Sequence, residues 1–298
     1  MDGILNIYKE QGFTSHDVVA KLRGILKQKK IGHTGTLDPD AVGVLPVCLG
    51  KATKVCDILT DKNKTYEAVL KLGVVTDTQD MTGTVLEEHP VTSTKEEIEQ
   101  AVFSFVGSYA QIPPMYSALK VNGKKLYELA REGKEVERKA REVSIFSIQI
   151  EEIDMNAATI KMSVDCSKGT YIRTLCHDIG EKLGCGGAMA SLKRTKVSSF
   201  VLQDSITLSE VENFMKDGTI ETHVIKVDSL FESLEAVTVK AEFQKYVDNG
   251  NKLLVSQLSS ETALEREKEY RVYDANKRFV GIFEAENRKS LKPKKMFI

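Results

Sequence analysis

Asp38 is the residue of this 298-residue sequence best placed to do chemistry, because it sits in the run Gly32-His33-Thr34-Gly35-Thr36-Leu37-Asp38-Pro39. Two glycines three apart let the backbone take positive φ or approach a ligand closely, and Pro39 removes a donor and stiffens the position after the acid. The pattern predicts a rigid loop that presents one carboxylate. Ile31 before it and Val44, Leu45, Val47, Cys48 and Leu49 after it are expected to supply apolar walls. A carboxylate in an apolar cleft is either a liability or a tool. Among 43 Asp and Glu residues, though, a Gly-rich turn carrying an Asp is ordinarily just a turn.

The elements that must hold this loop follow from periodicity. Residues 3 to 8 suit a strand, followed by a turn from Lys9 to Thr14, and Ser15 is the expected N-cap of a helix that buries Val18, Val19, Leu22, Ile25 and Leu26. Lys27, Lys29 and Lys30 then lead straight into the Asp38 loop. After a short helix ending near Leu59, Lys64-Thr65-Tyr66 opens a strand with Ala68, Leu70, Leu72 and Val74 on alternate positions. Thr94 and Glu97 form a capping box for a helix over 95–106. Residues 142–153 and 157–166 read as a hairpin around Asp154-Met155-Asn156. The second of those strands delivers Cys166 to Leu175, a strand, a Gly turn and a helix running to Gly184. Arg173 falls in the first turn of that helix, where a cation opposes the dipole unless an anion faces it. It is either that partnered cation or a surface arginine, and His177 one turn on reads as packed or solvent-facing. A further helix is expected over 207–217.

Charge is distributed unevenly. The chain carries a formal net charge of −1, which argues neither for nor against nucleic acid. From Lys120 to Arg141, a stretch containing Asn122-Gly123, there are eight basic and four acidic residues. That excess suits either a solvated face or a mobile lobe that grips phosphates. The last 60-odd residues read as a small β-rich unit, with a short helix from Ala241 to Asp248 stopping at Asn249-Gly250. Strands 270–273 and 278–283 turn at Asp274-Ala275-Asn276-Lys277, and Arg288, Lys289, Lys292, Lys294 and Lys295 form a basic tail. Hydrophobic residues at 41% and charged at 29% describe an ordinary globular chain without a membrane-length apolar run or a signal pattern, which places it in the cytoplasm. The five scattered cysteines lack zinc-ligand spacing and read as reduced thiols.

The run from Gly32 to Pro46 resembles the catalytic-loop motif of the TruB family, bacterial tRNA pseudouridine synthases that act on the T-arm, and Asp38 falls where that family has its nucleophile. Lys9 to Ser15 resembles the first family motif, with Glu10 where a proline is usual. Lys64-Thr65-Tyr66 looks like the second, whose tyrosine stacks on the target base, and Cys166 to Leu175 the third, whose arginine pairs with the aspartate. Ala190 to Thr195 is similar to the motif whose leucine closes the base pocket. Read without the likeness, Tyr66 is a packing residue, Leu192 is core, and Lys9 is either scaffold or a surface lysine. Asp40 and Val42 depart from the family pattern, which more often has an apolar residue and a threonine.

The resemblance implies an α/β (α+β) fold: a catalytic domain over 1–233 around a mixed, largely antiparallel sheet with flanking helices, and a PUA-like RNA-binding domain over 236–298. It also implies a thumb-like insertion at about 113–141. Asp38, Tyr66 and Arg173 become the expected catalytic residues, and His33, Gly35, Lys9, Tyr171, Leu192 and Lys120 the expected substrate contacts. The implied reaction turns uridine 55 of tRNA into pseudouridine on a flipped-out nucleotide, and it needs neither cofactor nor metal because no atom is gained or lost overall. The enzyme is expected to work as a monomer, away from membranes. Arg173 is expected to lower the Asp38 pKa. A tRNA-binding or tRNA-folding protein without essential catalysis is the alternative, which the joint presence of Asp38, Tyr66 and Arg173 disfavours. A uridine methyltransferase would need a methyl-donor site and an activated cysteine, and neither is evident.

Overall fold

The computed structural model describes residues 1–121, 123–259 and 263–298, so Asn122 of the Asn122-Gly123 turn lies outside the described residues. The chain begins with β1 (Gly3–Lys9), α1 (Ser15–Ile25), β2 (Ile31–His33) and β3 (Val42–Leu49), in which β1 and β2 both pair antiparallel with β3. α1 starts one residue earlier in its cap than expected. Thr14, not Ser15, accepts from the Asp17 amide and closes a capping box with the Asp17 carboxylate. Ser15 is thereby freed to turn inward and is fully buried.

Next come α2 (Cys56–Thr60), β4 (Lys64–Leu72), the small hairpin β5 (Val74–Thr76) and β6 (Val85–Glu88), α3 (Lys95–Phe103) and β7 (Gly107–Gln111). A lobe follows, with β8 (Lys120–Val121), β9 (Lys124–Lys125) and α4 (Leu126–Arg131). Then β10 (Arg141–Asp154) and β11 (Thr159–Cys166) form the expected hairpin, leading to α5 (Ile172–Lys182), β12 (Gly187–Val197), β13 (Phe200–Val201) and α6 (Leu208–Lys216). The main sheet runs β1-β3-β12-β4-β11-β10-β7, with β2 and β13 attached at its side. Every pairing in it is antiparallel except β3 with β12, so the sheet is mixed and largely antiparallel, as expected. Strand alternation is strict in β4, where every second residue from Lys64 to Leu72 is buried.

One core packs α3 and α5 against β4, β11 and β12, and a second packs α1 and α6 against β1 and β3. The walls expected around the Asp38 loop belong elsewhere. Ile31, Leu45, Val47 and Leu49 lie in the second core and Val44 and Cys48 in a third, whereas Leu37 and Ala41 of the loop itself reach the first. The loop therefore bridges two cores instead of being flanked by one.

The remaining strands, β14 (Glu235–Thr238), β15 (Leu253–Leu254), β16 (Glu269–Tyr273), β17 (Phe279–Asn287) and β18 (Ser290–Met296), form a second sheet with its own core, and α7 (Gln244–Asp248) lies beside it. Ile282 and Phe297 of this sheet join Ile4, Val44, Val197 and Phe200 in the third core, which packs the two sheets together. Of the expected basic tail, Arg288 and Lys289 precede β18, whereas the three lysines on that strand are answered. Lys292 pairs with Glu284, Lys294 with Glu269 and Lys295 with Asp57.

The parallel join of β3 to β12 is made possible by Gly43, whose φ is +108°. A Cβ there would lie 2.2 Å from the Arg194 carbonyl oxygen. Gly43→Ala should therefore combine strain with a clash and cost about 2 kcal/mol more than Gly12→Ala, where φ is +83° but nothing lies within 4 Å. Urea unfolding of the two variants measures the difference, and equal losses would contradict the close approach.

Candidate active site

The Asp38 loop is held by its backbone. Ser15 Oγ accepts from the Leu37 amide at 2.9 Å, and the Gly12 amide donates to the Pro39 carbonyl at 3.0 Å. Lys9 has no exposed surface, and its ammonium spends all three protons on the carbonyls of Glu10 (3.0 Å), Pro39 (2.9 Å) and Ala41 (2.5 Å). A residue so enclosed cannot also reach a substrate, so the expectation that Lys9 binds one is corrected: it fixes the loop. On the other side Arg194, on β12 and fully buried, donates from Nε to the Val44 carbonyl at 2.7 Å and from Nη2 to the Gly35 carbonyl at 3.3 Å.

Arg173 stands in the first turn of α5 with 7% of its side chain exposed. Its Nε lies 3.1 Å from Asp38 Oδ2, and its Nη2 donates to Asp38 Oδ1 at 3.4 Å, a two-point clamp on the carboxylate. Nη1 reaches Asp80 Oδ2 at 3.4 Å and the Thr78 carbonyl at 3.2 Å, and Nη2 also donates to the Tyr116 carbonyl at 2.8 Å. The anions this helix start requires are thus two. Asp80 is itself held by the Thr78 and Thr82 hydroxyls and the Thr82 amide.

Asp38 is crowded by protein yet keeps 39% of its side chain exposed. Burial pushes its carboxyl above the ordinary value; Arg173 and Lys9 pull it down, and Asp80 and Asp40 push it up. The expected net lowering by Arg173 is corrected: the ion pair offsets desolvation without overcoming it. Leu37 and Ala41 of the loop, Tyr66 of β4 and Leu192 of β12 all belong to one apolar cluster. Tyr66 is 8% exposed and lies opposite Arg194 across the β4–β12 ladder. Burial raises its phenol pKa, and the Arg194 guanidinium opposes that rise.

The other expected contacts divide. His33 and Gly35 lie in the loop, with His33 Nδ1 accepting from the Gly35 amide at 3.3 Å and its ring 5.2 Å from His16, edge on. Burial lowers the His33 pKa. Tyr171 caps α5, and its backbone is gripped at both ends by buried Gln111, which accepts from the amide at 2.7 Å and donates to the carbonyl at 3.0 Å. Lys120 is exposed on the β8–β9 hairpin. Ser15, Asp80, Gln111 and Arg194 were missed from the sequence. Asp80 sits in Asp77-Thr78-Gln79-Asp80-Met81-Thr82-Gly83, which reads as a turn, whereas Ser15 and Arg194 lay in motifs already singled out but with other roles or none.

Comparison with known proteins places this geometry. Residues 23–172 match the TruB family pseudouridylate synthase N-terminal domain, 173–238 the tRNA pseudouridylate synthase B C-terminal domain, and 236–297 the C-terminal domain of pseudouridine synthase II TruB. A tRNA pseudouridine synthase B of Lachnoclostridium phytofermentans is 55% identical over 307 residues, covering 100% of both chains. One of Clostridium perfringens is 49% identical over 283 residues, covering 95% of this chain and 94% of its own. A chain of a solved Cbf5-Nop10-Gar1 complex matches with TM-score 0.73 and 28% identity, over 99% of this chain and 85% of that one. A chain of an H/ACA RNP bound to a substrate RNA containing 2'-deoxyuridine matches with TM-score 0.72 and 26% identity, over the same shares.

Burial brings the Lys9 ammonium from 10.5 down to about 8. Its charge is therefore a cost to folding below pH 8 that fades as pH rises toward 10.5, where the unfolded chain alone still holds the proton. The destabilisation caused by Lys9→Met should grow by about 2 to 3 kcal/mol between pH 7 and pH 10. Denaturant unfolding at the two pH values checks it, and a shrinking difference would mean that the three carbonyls keep the ammonium charged.

Proposed function

The chain belongs to the TruB family of pseudouridylate synthases, and on that premise we propose that it converts uridine to pseudouridine at position 55 in the T-arm of tRNA, with Asp38 acting on a flipped-out nucleotide. The observation that carries the catalytic assignment is the two-point Arg173 clamp on a carboxylate that still keeps 39% of its side chain exposed. The relatives named tRNA pseudouridine synthase B support tRNA as the substrate class.

The reaction breaks the bond from the sugar C1' to N1 of the base, rotates the uracil, forms a bond from C1' to C5, and transfers the C5 proton away while N1 gains one. Flipping the base costs a few kcal/mol, and the Tyr66 ring and Leu192 offer apolar surface that offsets it. Arg173 keeps Asp38 ionised and aimed while the incoming base displaces water that would otherwise share that duty. Tyr66 is assigned the C5 proton: its phenol first gives up its own proton, which goes to solvent or to the freed base nitrogen, and the resulting phenolate takes the proton from C5. The buried Arg194 behind its hydroxyl, without a carboxylate partner among the described residues, answers that transient phenolate. The 236–298 segment and the lobe of β8, β9 and α4 are the proposed RNA-docking parts around this cleft.

Incubating the purified chain with an unmodified tRNA transcript and mapping pseudouridine by chemical adduct and primer extension tests the reading. Modification at position 55 alone is expected, and an unmodified transcript that is nonetheless bound would favour a tRNA-folding role. Asp38→Asn should abolish turnover while tRNA affinity stays within about tenfold. Tyr66→Phe should lose nearly as much turnover as Tyr66→Ala in single-turnover assays; a Phe variant close to wild type would take the proton from Tyr66 and leave it stacking alone.

A further inference from the structure

From residue 18 to residue 37 the chain carries five cations, Lys21, Arg23, Lys27, Lys29 and Lys30, and no acid. This stretch is more one-sided than the Lys120–Arg141 lobe, where half as many acids as bases temper the charge. It bounds a groove of ≈ 580 Å³ between α1, β2 and the segment carrying Thr53 and Cys56, with Arg23, Lys29 and Lys30 along it and His16 and His33 at one end.

Three features separate this groove from an ordinary solvated face. The three cations that line it, Arg23, Lys29 and Lys30, form no ion pair among the described residues, in contrast to the lysines of β18, each of which meets a carboxylate. The acids on the bounding helices are already engaged: Asp17 closes the α1 capping box, and Asp57 holds Lys295 at 2.8 Å. The backbone carrying Lys29 and Lys30 is fixed, because Arg23 donates from Nε to the Lys29 carbonyl at 3.1 Å and from Nη2 to the Ile31 carbonyl at 3.4 Å. Cations held close together without counter-charge repel one another, and an anion in the groove relieves that repulsion.

The groove also has a direction. β2 runs from it into the Asp38 loop, so Lys30 lies three residues of extended chain, about 10 Å, from His33. We infer that this groove is a phosphate track for the RNA strand on one side of the flipped nucleotide, with Lys29 and Lys30 neutralising backbone phosphates within a few nucleotides of the target. This rests on the tRNA reading above. Phosphate contacts carry register and not sequence, so the track would set how far the strand enters before the uridine meets Asp38.

The test is the salt dependence of tRNA binding to the full chain, measured by fluorescence anisotropy over a range of potassium chloride. Each phosphate neutralised on a single strand contributes about 0.7 to the slope of log affinity against log salt. Lys29→Gln with Lys30→Gln should lower that slope by about 1.4, and Lys29→Arg with Lys30→Arg should keep it. An unchanged slope in the Gln pair would overturn the inference. So would an equal loss in both pairs, which would trace the effect to backbone disturbance. Wild-type protein that binds tRNA without making pseudouridine would sink the proposed reaction and leave the track standing, whereas an active enzyme with an unchanged slope would sink the track alone.

Discussion

The arrangement around Arg173 depends on one guanidinium with more acceptors than a single partner could supply. Its donors go to Asp38 twice, to Asp80, and to the carbonyls of Thr78 and Tyr116. These come from three stretches far apart in sequence, and only a planar fork can hold them together in fixed directions. A lysine would offer a point charge and lose the bidentate aim on Asp38. Because Tyr116 precedes the β8–β9 lobe, the same side chain ties the root of that lobe to the acid. One residue therefore touches both the root of the lobe and the carboxylate.

Around this centre the fold buries two further cations, Lys9 and Arg194, neither of which meets a carboxylate directly among the described residues. Both are spent on backbone carbonyls of the Asp38 loop and its flanks. Burying charge in this way costs stability, and what it returns is a loop whose peptide groups cannot rotate. With Ser15 and Gly12 holding the remaining groups, Asp38 is presented by a backbone fixed from both cores. Such preorganisation is what a reaction relying on aim, with no group of its own to supply, requires.

Much of this was legible in the sequence because local rules govern it. The Thr94–Glu97 capping box, the β10–β11 hairpin and the alternation of β4 follow from neighbours a few residues apart. Asp38, Tyr66 and Arg173 stood out through their motifs. The misses share a physical character. Asp80, Gln111 and Ser15 act across separations of 93, 60 and 22 residues, and nothing in a turn rich in Asp and Thr or in a lone Gln announces a partner so distant. Lys9 was misjudged because burial of a lysine depends on three carbonyls that only the folded loop brings together. The direction of the Asp38 pKa was misjudged because the sequence displays the attractive charge but not the amount of protein packed around the acid.

Charge on the surface has the same lesson. Three basic residues near the C-terminus turned out to lie on a strand with their counter-ions attached, while the cations of the stretch before the Asp38 loop meet no carboxylate among the described residues. At the centre of the site, Arg173 holds Asp38 ionised against a burial that pushes the other way. The most direct measurement is the Asp38 carboxyl titration, followed by carbon-13 NMR of labelled aspartates in the wild type and in folded Arg173→Met. A wild-type value above 3.8 that climbs further in the variant is predicted; a value at or below 3.8 that the variant leaves unmoved would contradict it.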